Sequence, residues 1–476
     1  MRYCMLRPMA VGAVSLVLAC AAHAAHADTL LPADPEVDAA QSDATSGQAT
    51  EELPAALDSA SRLDQRILAD AALRDGRPLD ALAATELWLA LLREQAPDDS
   101  AELMEALQMR ARAEAALGNH GEAADSYLEI VDVAEGMHGR LSPQLIEPMI
   151  AAGASFNDAG RHAEALVVAE EARYLARRNH GLFSVEQVPA LEVQSEAHAG
   201  MGDRSEARVL REQGFELVRR RLGDDNPELL GHLGRLADWY AKGGMSVRER
   251  NALEQMLVLQ RDHHPDQPWL QAETLRGIAR SWTGDVPAAM GYAMDRRAAM
   301  QLARMRPSSS SGARPARQAL ERAQALLDAA GESVPASERA RMEVAWGDWH
   351  MTFDNTPDVA LDRYRSAWSL LEQEPDLRSE LFARPTALYY VAPPSPTQSS
   401  GEGVARGSVT LGFGIGADGR PYAIEVEEPS PEDTMTALTI RQLEHTGRYR
   451  PRMQDGEPVP SAGARLRQSF RYRVRE

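Results

Sequence analysis

The sequence predicts a mainly α-helical chain: a solenoid of helical hairpins, then a small α+β domain with the order strand, strand, helix, strand. Three observations predict it. Glycine recurs at Gly76, Gly118, Gly160, Gly202 and Gly244, every 42 residues. A small residue stands seven positions before each glycine (Ala69, Ala111, Gly153, Ser195, Ala237), and Ala81, Ala123, Ala165 and Ala207 stand five after, lapsing only at Glu249. Such a period marks supersecondary units that bury their apolar faces against one another. Beyond Arg384–Pro385 the apolar spacing changes to the two-residue period of half-buried strands.

Taken in order, the chain begins with Arg2 and Arg7 before an apolar run from Met9 to Ala22, and Ala25–His26–Ala27 has the form of a signal-peptidase site. Residues 1–27 are therefore expected to be a signal peptide. The run is short for a membrane span. The competing reading is an outer-membrane lipoprotein acylated on Cys20, although the leucine in Leu18–Ala19–Cys20 fits a lipobox poorly. Cys4 and Cys20, the two cysteines of the chain, both fall here, so a mature chain has no internal disulfide. Residues 28–55 carry Asp28, Asp34, Glu36, Asp38, Asp43, Glu51 and Glu52 with no basic residue, the composition of a disordered acidic lead-in.

Residues 56–305 are expected to form six hairpins. Ser100, Ser142, Ser184 and Asn226, again 42 apart, are placed to cap first helices. Pro143 and Pro227 follow at the first helical position, and Ser184 with Gln187 has capping-box spacing. Each first helix should end at its turn glycine in a left-handed conformation. Pro148 and Pro189 should kink their helices or delay their starts. A sixth, shorter copy carries Gly277, Gly284 and Ala289. The pattern of small residue, glycine and alanine resembles the tetratricopeptide repeat (TPR), and its length resembles the kinesin-light-chain type. Arg221–Leu222–Gly223–Asp224–Asp225–Asn226–Pro227 and Leu236–Ala237–Asp238–Trp239–Tyr240 carry the resemblance best. It implies an array that binds protein partners and is not itself catalytic.

Residues 306–314 read as a flexible linker, and 315–383 as further TPR-like helices (Ala316–Ala330, Ser337–Phe353, Asp358–Gln373). In residues 384–476, Val409, Leu411, Phe413 and Ile415 alternate, Ala417–Arg420 turns, and Tyr422, Ile424 and Val426 return. Glu432–His445 reads as a helix, Asp455–Gly456 as a turn, and Ala464, Leu466, Phe470, Tyr472 and Val474 as the last strand. Gly407–Phe413, Asp418–Arg420, Ile424–Ser430, Arg448–Pro451, Asp455–Val459 and Phe470–Tyr472 resemble the C-terminal domain of TonB, which docks on outer-membrane receptors. The chain departs from TonB in having a cleavable-looking signal, no proline–lysine spacer, and repeats in between. This module is expected to fold alone.

Composition excludes some functions. A net charge of −20, with Lys242 the single lysine, disfavours nucleic acid and anionic membranes. The Gly412–Gly414–Gly416 run precedes a hairpin and not a helix, against a phosphate loop. His263–His264 with Asp262 and Asp266 lack a third metal ligand at useful spacing. His120 with His162, and His138 with His180, share repeat phases near turns, and Asp98–Asp99 and Asp224–Asp225 precede helix starts. No catalytic, cofactor-binding or metal site is expected. The candidate partner-binding residues are Arg465, Arg467, Arg471, Arg473 and Arg475, on one face of the last strand. The whole reads as a non-enzymatic periplasmic adaptor for envelope proteins; the alternative is a TonB-like transport component engaging outer-membrane receptors. Mass spectrometry of the exported protein should find Asp28 at the N-terminus; a diacylated Cys20 would contradict this.

Overall fold

The computed structural model describes residues 61–96, 98–283, 312–393, 395–396, 404–431 and 433–473. The expected signal peptide, the acidic lead-in, Gly284, Ala289 and most of the linker lie outside these residues. Five complete hairpins are described: α1 Arg62–Arg74 with α2 Pro78–Gln95, α3 Ser100–Ala116 with α4 His120–His138, α5 Ile146–Asp158 with α6 His162–His180, α7 Val188–Met201 with α8 Arg204–Leu222, and α9 Leu229–Lys242 with α10 Ser246–His263.

The turn glycines do what their spacing implies. Gly76, Gly118, Gly160, Gly202 and Gly244 all have φ between 68° and 88°. In each, the N–H of the following residue returns to the carbonyl five residues back, as in Asn119 to Glu114 at 2.9 Å and Asp203 to His198 at 2.8 Å. This bond closes the helix and fixes the direction of the next one. The small residues meet where the helices cross: Ala69, Ala111, Ser195, Ala123, Ala165 and Ala207 are at most 1% exposed. At Gly153 an added Cβ would lie 2.9 Å from Val193 Cγ1. Glu249, where the alanine pattern lapses, is also buried.

Helix starts differ in detail from expectation. Asp99, not Ser100, caps α3, its carboxylate accepting the Glu102 N–H at 3.0 Å, so Ser100 is the first helical residue. A carboxylate there gains from the helix dipole as well as from the hydrogen bond. Ser142 caps a 3₁₀ turn, Pro143–Leu145, and a second such turn, Val185–Gln187, precedes α7. These turns delay α5 and α7, leaving Pro148 and Pro189 in first turns where their missing N–H does no harm. Ser184 and Gln187 form no capping box: the Gln187 amide donates to the carbonyls of Leu182 and Ser184 at 2.8 and 3.3 Å.

The array continues with α11 Pro268–Ser281, which packs on α10 and on α12, Ala313–Ala330. The sixth hairpin is therefore represented here by its first helix, and α12 takes in the last two residues of the expected linker. Next come α13 Ala336–Trp349, a π-helical turn His350–Asp354, α14 Pro357–Leu370 and α15 Pro375–Phe382, the last not foreseen. The ring of Tyr364 lies on Gly347, where a Cβ would be 2.3 Å from the ring, and this brings α13 and α14 close together.

The C-terminal region has its strands and helix in the expected order. Strands β2 Val404–Ile415, β3 Pro421–Glu428 and β7 Ser461–Arg473 make an antiparallel sheet ordered β3-β2-β7, with α16 Asp433–Thr446 between them in sequence. Val409, Leu411, Phe413, Ile415 and Leu466 pack with Leu443 of α16 and with Tyr449. Two short pairs were not foreseen: β1 Thr386–Tyr389 with β4 Arg448–Arg450, and β5 Arg452–Gln454 with β6 Glu457–Val459 around Asp455–Gly456.

This region is locked to the helices by a buried ion pair. Arg450 of β4 grips Asp348 of α13 through Nε and Nη2 at 3.0 and 2.8 Å, and its Nη1 donates to the Leu381 carbonyl at 3.0 Å. The Tyr364 hydroxyl donates to the same Asp348 at 2.8 Å. Burial alone would make the guanidinium easier to deprotonate, but Asp348 outweighs it and holds Arg450 charged. Met453 joins the core of α13, α14 and α15, and Arg365 bonds Glu457 at 2.9 Å. Isolating residues 384–476 would strand Arg450 and Met453, which weighs against the expectation that they fold alone.

Two predictions follow from this packing. Ala165→Leu or Ala207→Leu should cost roughly 1–3 kcal/mol by overpacking the crossings, whereas Asp224→Asn, in an exposed turn, should be nearly neutral in thermal melts. Arg450→Met should cost about 3–5 kcal/mol by leaving Asp348 buried without its cation. Urea unfolding should then separate into two transitions, and adding Asp348→Leu should recover part of the loss.

Candidate functional site

The candidate face is the outer side of the β3-β2-β7 sheet. Alternation along β7 puts Leu466, Gln468 and Phe470 inward and Arg465, Arg467, Ser469, Arg471 and Arg473 outward. Arg475 lies outside the described residues. In register, Arg465 pairs with Gly412, Arg467 with Thr410, Ser469 with Ser408, Arg471 with Arg406, and Arg473 with Val404. The structure thus adds Arg406 to the face, a residue the sequence reading passed over because it lies at the start of the strand.

The face is electrostatically divided. At the hairpin end, the Glu427 carboxylate lies over Gly412 and accepts from Arg465 Nε at 3.1 Å. Gly412 leaves room for it: a Cβ there would be 2.6 Å from Glu427 Oε1. Gly414 likewise accommodates the Tyr422 ring, so these glycines serve close packing and not phosphate binding. At the other end, Arg467, Arg471 and Arg473 have no ion pair with any carboxylate among the described residues. Arg471 stands directly opposite Arg406 in the register of β2 and β7. The Arg471 Nε is buried and has no hydrogen-bond partner.

The remaining sequence candidates resolve structurally. His263 Nε2 lies 3.0 Å from Asp225 Oδ1, tying two hairpins, and His162 Nδ1 lies 3.1 Å from Asn157 Oδ1. His138 and His180 are the last residues of α4 and α6. Among the described residues no cluster of three His, Cys, Asp or Glu is placed to hold a metal, and no helix is long and apolar enough to cross a membrane.

No protein-family model matches the chain, and neither does any curated protein. Solved structures with similar helical repeats include BtubC (BKLC) from P. vanneervenii, at 15% identity and TM-score 0.36, covering 53% of this chain and 92% of that one. A putative kinesin light chain from Podosopora anserina with nearly identical TPR-like repeats has 19% identity and TM-score 0.36, covering 42% and 95%. Aspartyl phosphate phosphatase F from Bacillus subtilis has 15% identity and TM-score 0.36, covering 68% and 78%. The described residues themselves define a helical-repeat protein of stacked hairpins carrying a small strand-rich C-terminal region.

Proposed function

We propose that this chain is a non-enzymatic adaptor of the bacterial periplasm that holds protein partners, one of them on the outer face of its C-terminal sheet. The observation that carries this reading is the group Arg467, Arg471 and Arg473, outward, without carboxylate partners and opposed by Arg406. In a chain of net charge −20, a local cationic face persists only where geometry keeps it from the chain's own acids. Such a face selects acidic segments of a partner and speeds their encounter. Repeat arrays of this kind present extended surfaces to proteins, which supports the same reading.

A second reading is favoured by the sheet's edge. Strand β7 pairs with β2 on one side, and no strand among the described residues pairs its other side. An extended peptide added there would give affinity through backbone bonds. A TonB-like role would use that edge for a receptor segment, making the protein a transport component at the outer membrane.

The full chain with Arg467, Arg471 and Arg473 all changed to Gln should keep its melting temperature and lose the partners that wild type captures from envelope extracts at low salt. Raising ionic strength should mimic the loss. Equal capture by the variant would remove the sheet face from the function, and TonB-dependent receptors among the captured proteins would select the second reading.

A further inference from the structure

A second cationic site lies in the repeats, away from the sheet. A cavity of about 360 Å³ opens between α6, α7 and α8. The second helices of hairpins three and four form its walls, and Gln194 of α7, which is buried, lies at its base. Its charged groups are unequally placed. Glu170, Arg177 and Glu206 are exposed on the rim, whereas Arg173 is half-buried within.

Arg173 is held without a counter-ion. Its Nη1 donates to Gln194 Oε1 at 3.3 Å and its Nη2 to Gln213 Oε1 at 3.2 Å, both neutral amides. Its Nε is buried with no partner, and no carboxylate among the described residues lies within ion-pair distance. Across the cavity, the buried Nδ1 of His198 also lacks a hydrogen bond; the nearest carboxylate oxygen, Asp203 Oδ2, is 3.9 Å away. A half-buried guanidinium fixed by amides, with a shielded Nε that has no partner, is better satisfied when an anion meets it. Leu166, Leu210 and Tyr174 supply apolar wall beside these polar groups. The concavity is open and most of its lining is polar, so a ligand there is recognised by charge and hydrogen bonding, with Leu166, Leu210 and Tyr174 as the apolar contact.

We propose that this cavity binds an organic carboxylate with a short apolar body, its carboxylate on Arg173 and its body against Leu166, Leu210 and Tyr174. Two sources share that chemistry: a free aliphatic acid and the C-terminal end of a peptide. The planar guanidinium, pre-set by Gln194 and Gln213, suits a carboxylate in two-point contact. The site is independent of the arginines of the sheet.

Calorimetric titration of the full chain tests this with three probes: hexanoate, N-acetyl-glycyl-leucine with a free carboxylate, and the same dipeptide as its C-terminal amide. At least one acid should bind saturably and the amide should not; binding of the dipeptide acid alone identifies a peptide end as the source, and of hexanoate alone a free acid. Arg173→Gln should weaken the bound acid by about tenfold to a hundredfold with an unchanged melting temperature. The Arg467, Arg471 and Arg473 triple variant should bind it as wild type does, which separates failure here from failure of the adaptor reading. The proposal is overturned if neither acid saturates below about 10 mM, if the amide binds as well as the acid, or if folded Arg173→Gln binds unchanged. Should that variant not fold, the acid-against-amide comparison on wild type decides alone.

Discussion

Each of the five complete repeat hairpins described depends on one backbone constraint, a residue that must take positive φ at the end of the first helix. With glycine there, the next N–H can return to a carbonyl five residues back, and the chain reverses in two or three residues. A short turn forces the helices close, and closeness in turn demands Ala or Gly at the crossing. The 42-residue period is thus a chain of consequences. A second set of glycines shows the same logic at the other end of the unit. Gly139, Gly181 and Gly223, also 42 apart, have φ of 82°, 100° and 88° with ψ near 160°, a region essentially closed to other residues. They break the second helix into an extended step before the next hairpin begins.

Periodic physics of this kind propagates only along the repeats. The C-terminal region is joined by a different device, the Arg450–Asp348 pair, whose members are 102 residues apart. A buried pair of this sort contributes little net stability against an apolar alternative, yet it heavily penalises any arrangement that separates its members. It therefore specifies orientation: the Arg450 fork fits Asp348 and the Leu381 carbonyl together. Contacts of Arg420 with Asn355, and of Gly419 with Met351, set the β2–β3 hairpin tip against the π-helical turn. The attachment uses the tip of the sheet and its flanking short strands.

How much was legible in the sequence follows from which interactions are local. The hairpins, their turn glycines, the buried alanines and the alternation of β2 and β7 were legible, since each rests on residues a few positions apart. The cap of α3 was misplaced by one residue because Asp99 and Ser100 are both good caps, and spacing alone favoured the serine. Gly139, Gly181 and Gly223 had the same visible period as the turn glycines, so that signal was present and missed. The site at Arg173 was not legible: its partners Gln194 and Gln213 lie on other helices, and what distinguishes it is a missing carboxylate. The outward face of β7 was readable from alternation, but Arg406 joined it only through strand register.

The two arginine sites also explain how an acidic chain can carry cationic function. Most arginines of the array are consumed by carboxylates close along the same helix or on a neighbouring one, as with Arg161 and Glu164, Arg208 and Glu212, or Arg211 and Glu192. Such pairs cancel within a few ångströms, and beyond about 8–10 Å salt screens what remains. Net charge therefore says little about any one point on the surface. What matters is whether a side chain's immediate neighbours include an acid, and secondary structure settles that. On β7 the cross-strand neighbours of Arg467, Arg471 and Arg473 are Thr410, Arg406 and Val404, and in the cavity the groups that Arg173 meets are amides. For these four arginines no carboxylate among the described residues lies within ion-pair distance, which leaves that place to an anion from elsewhere.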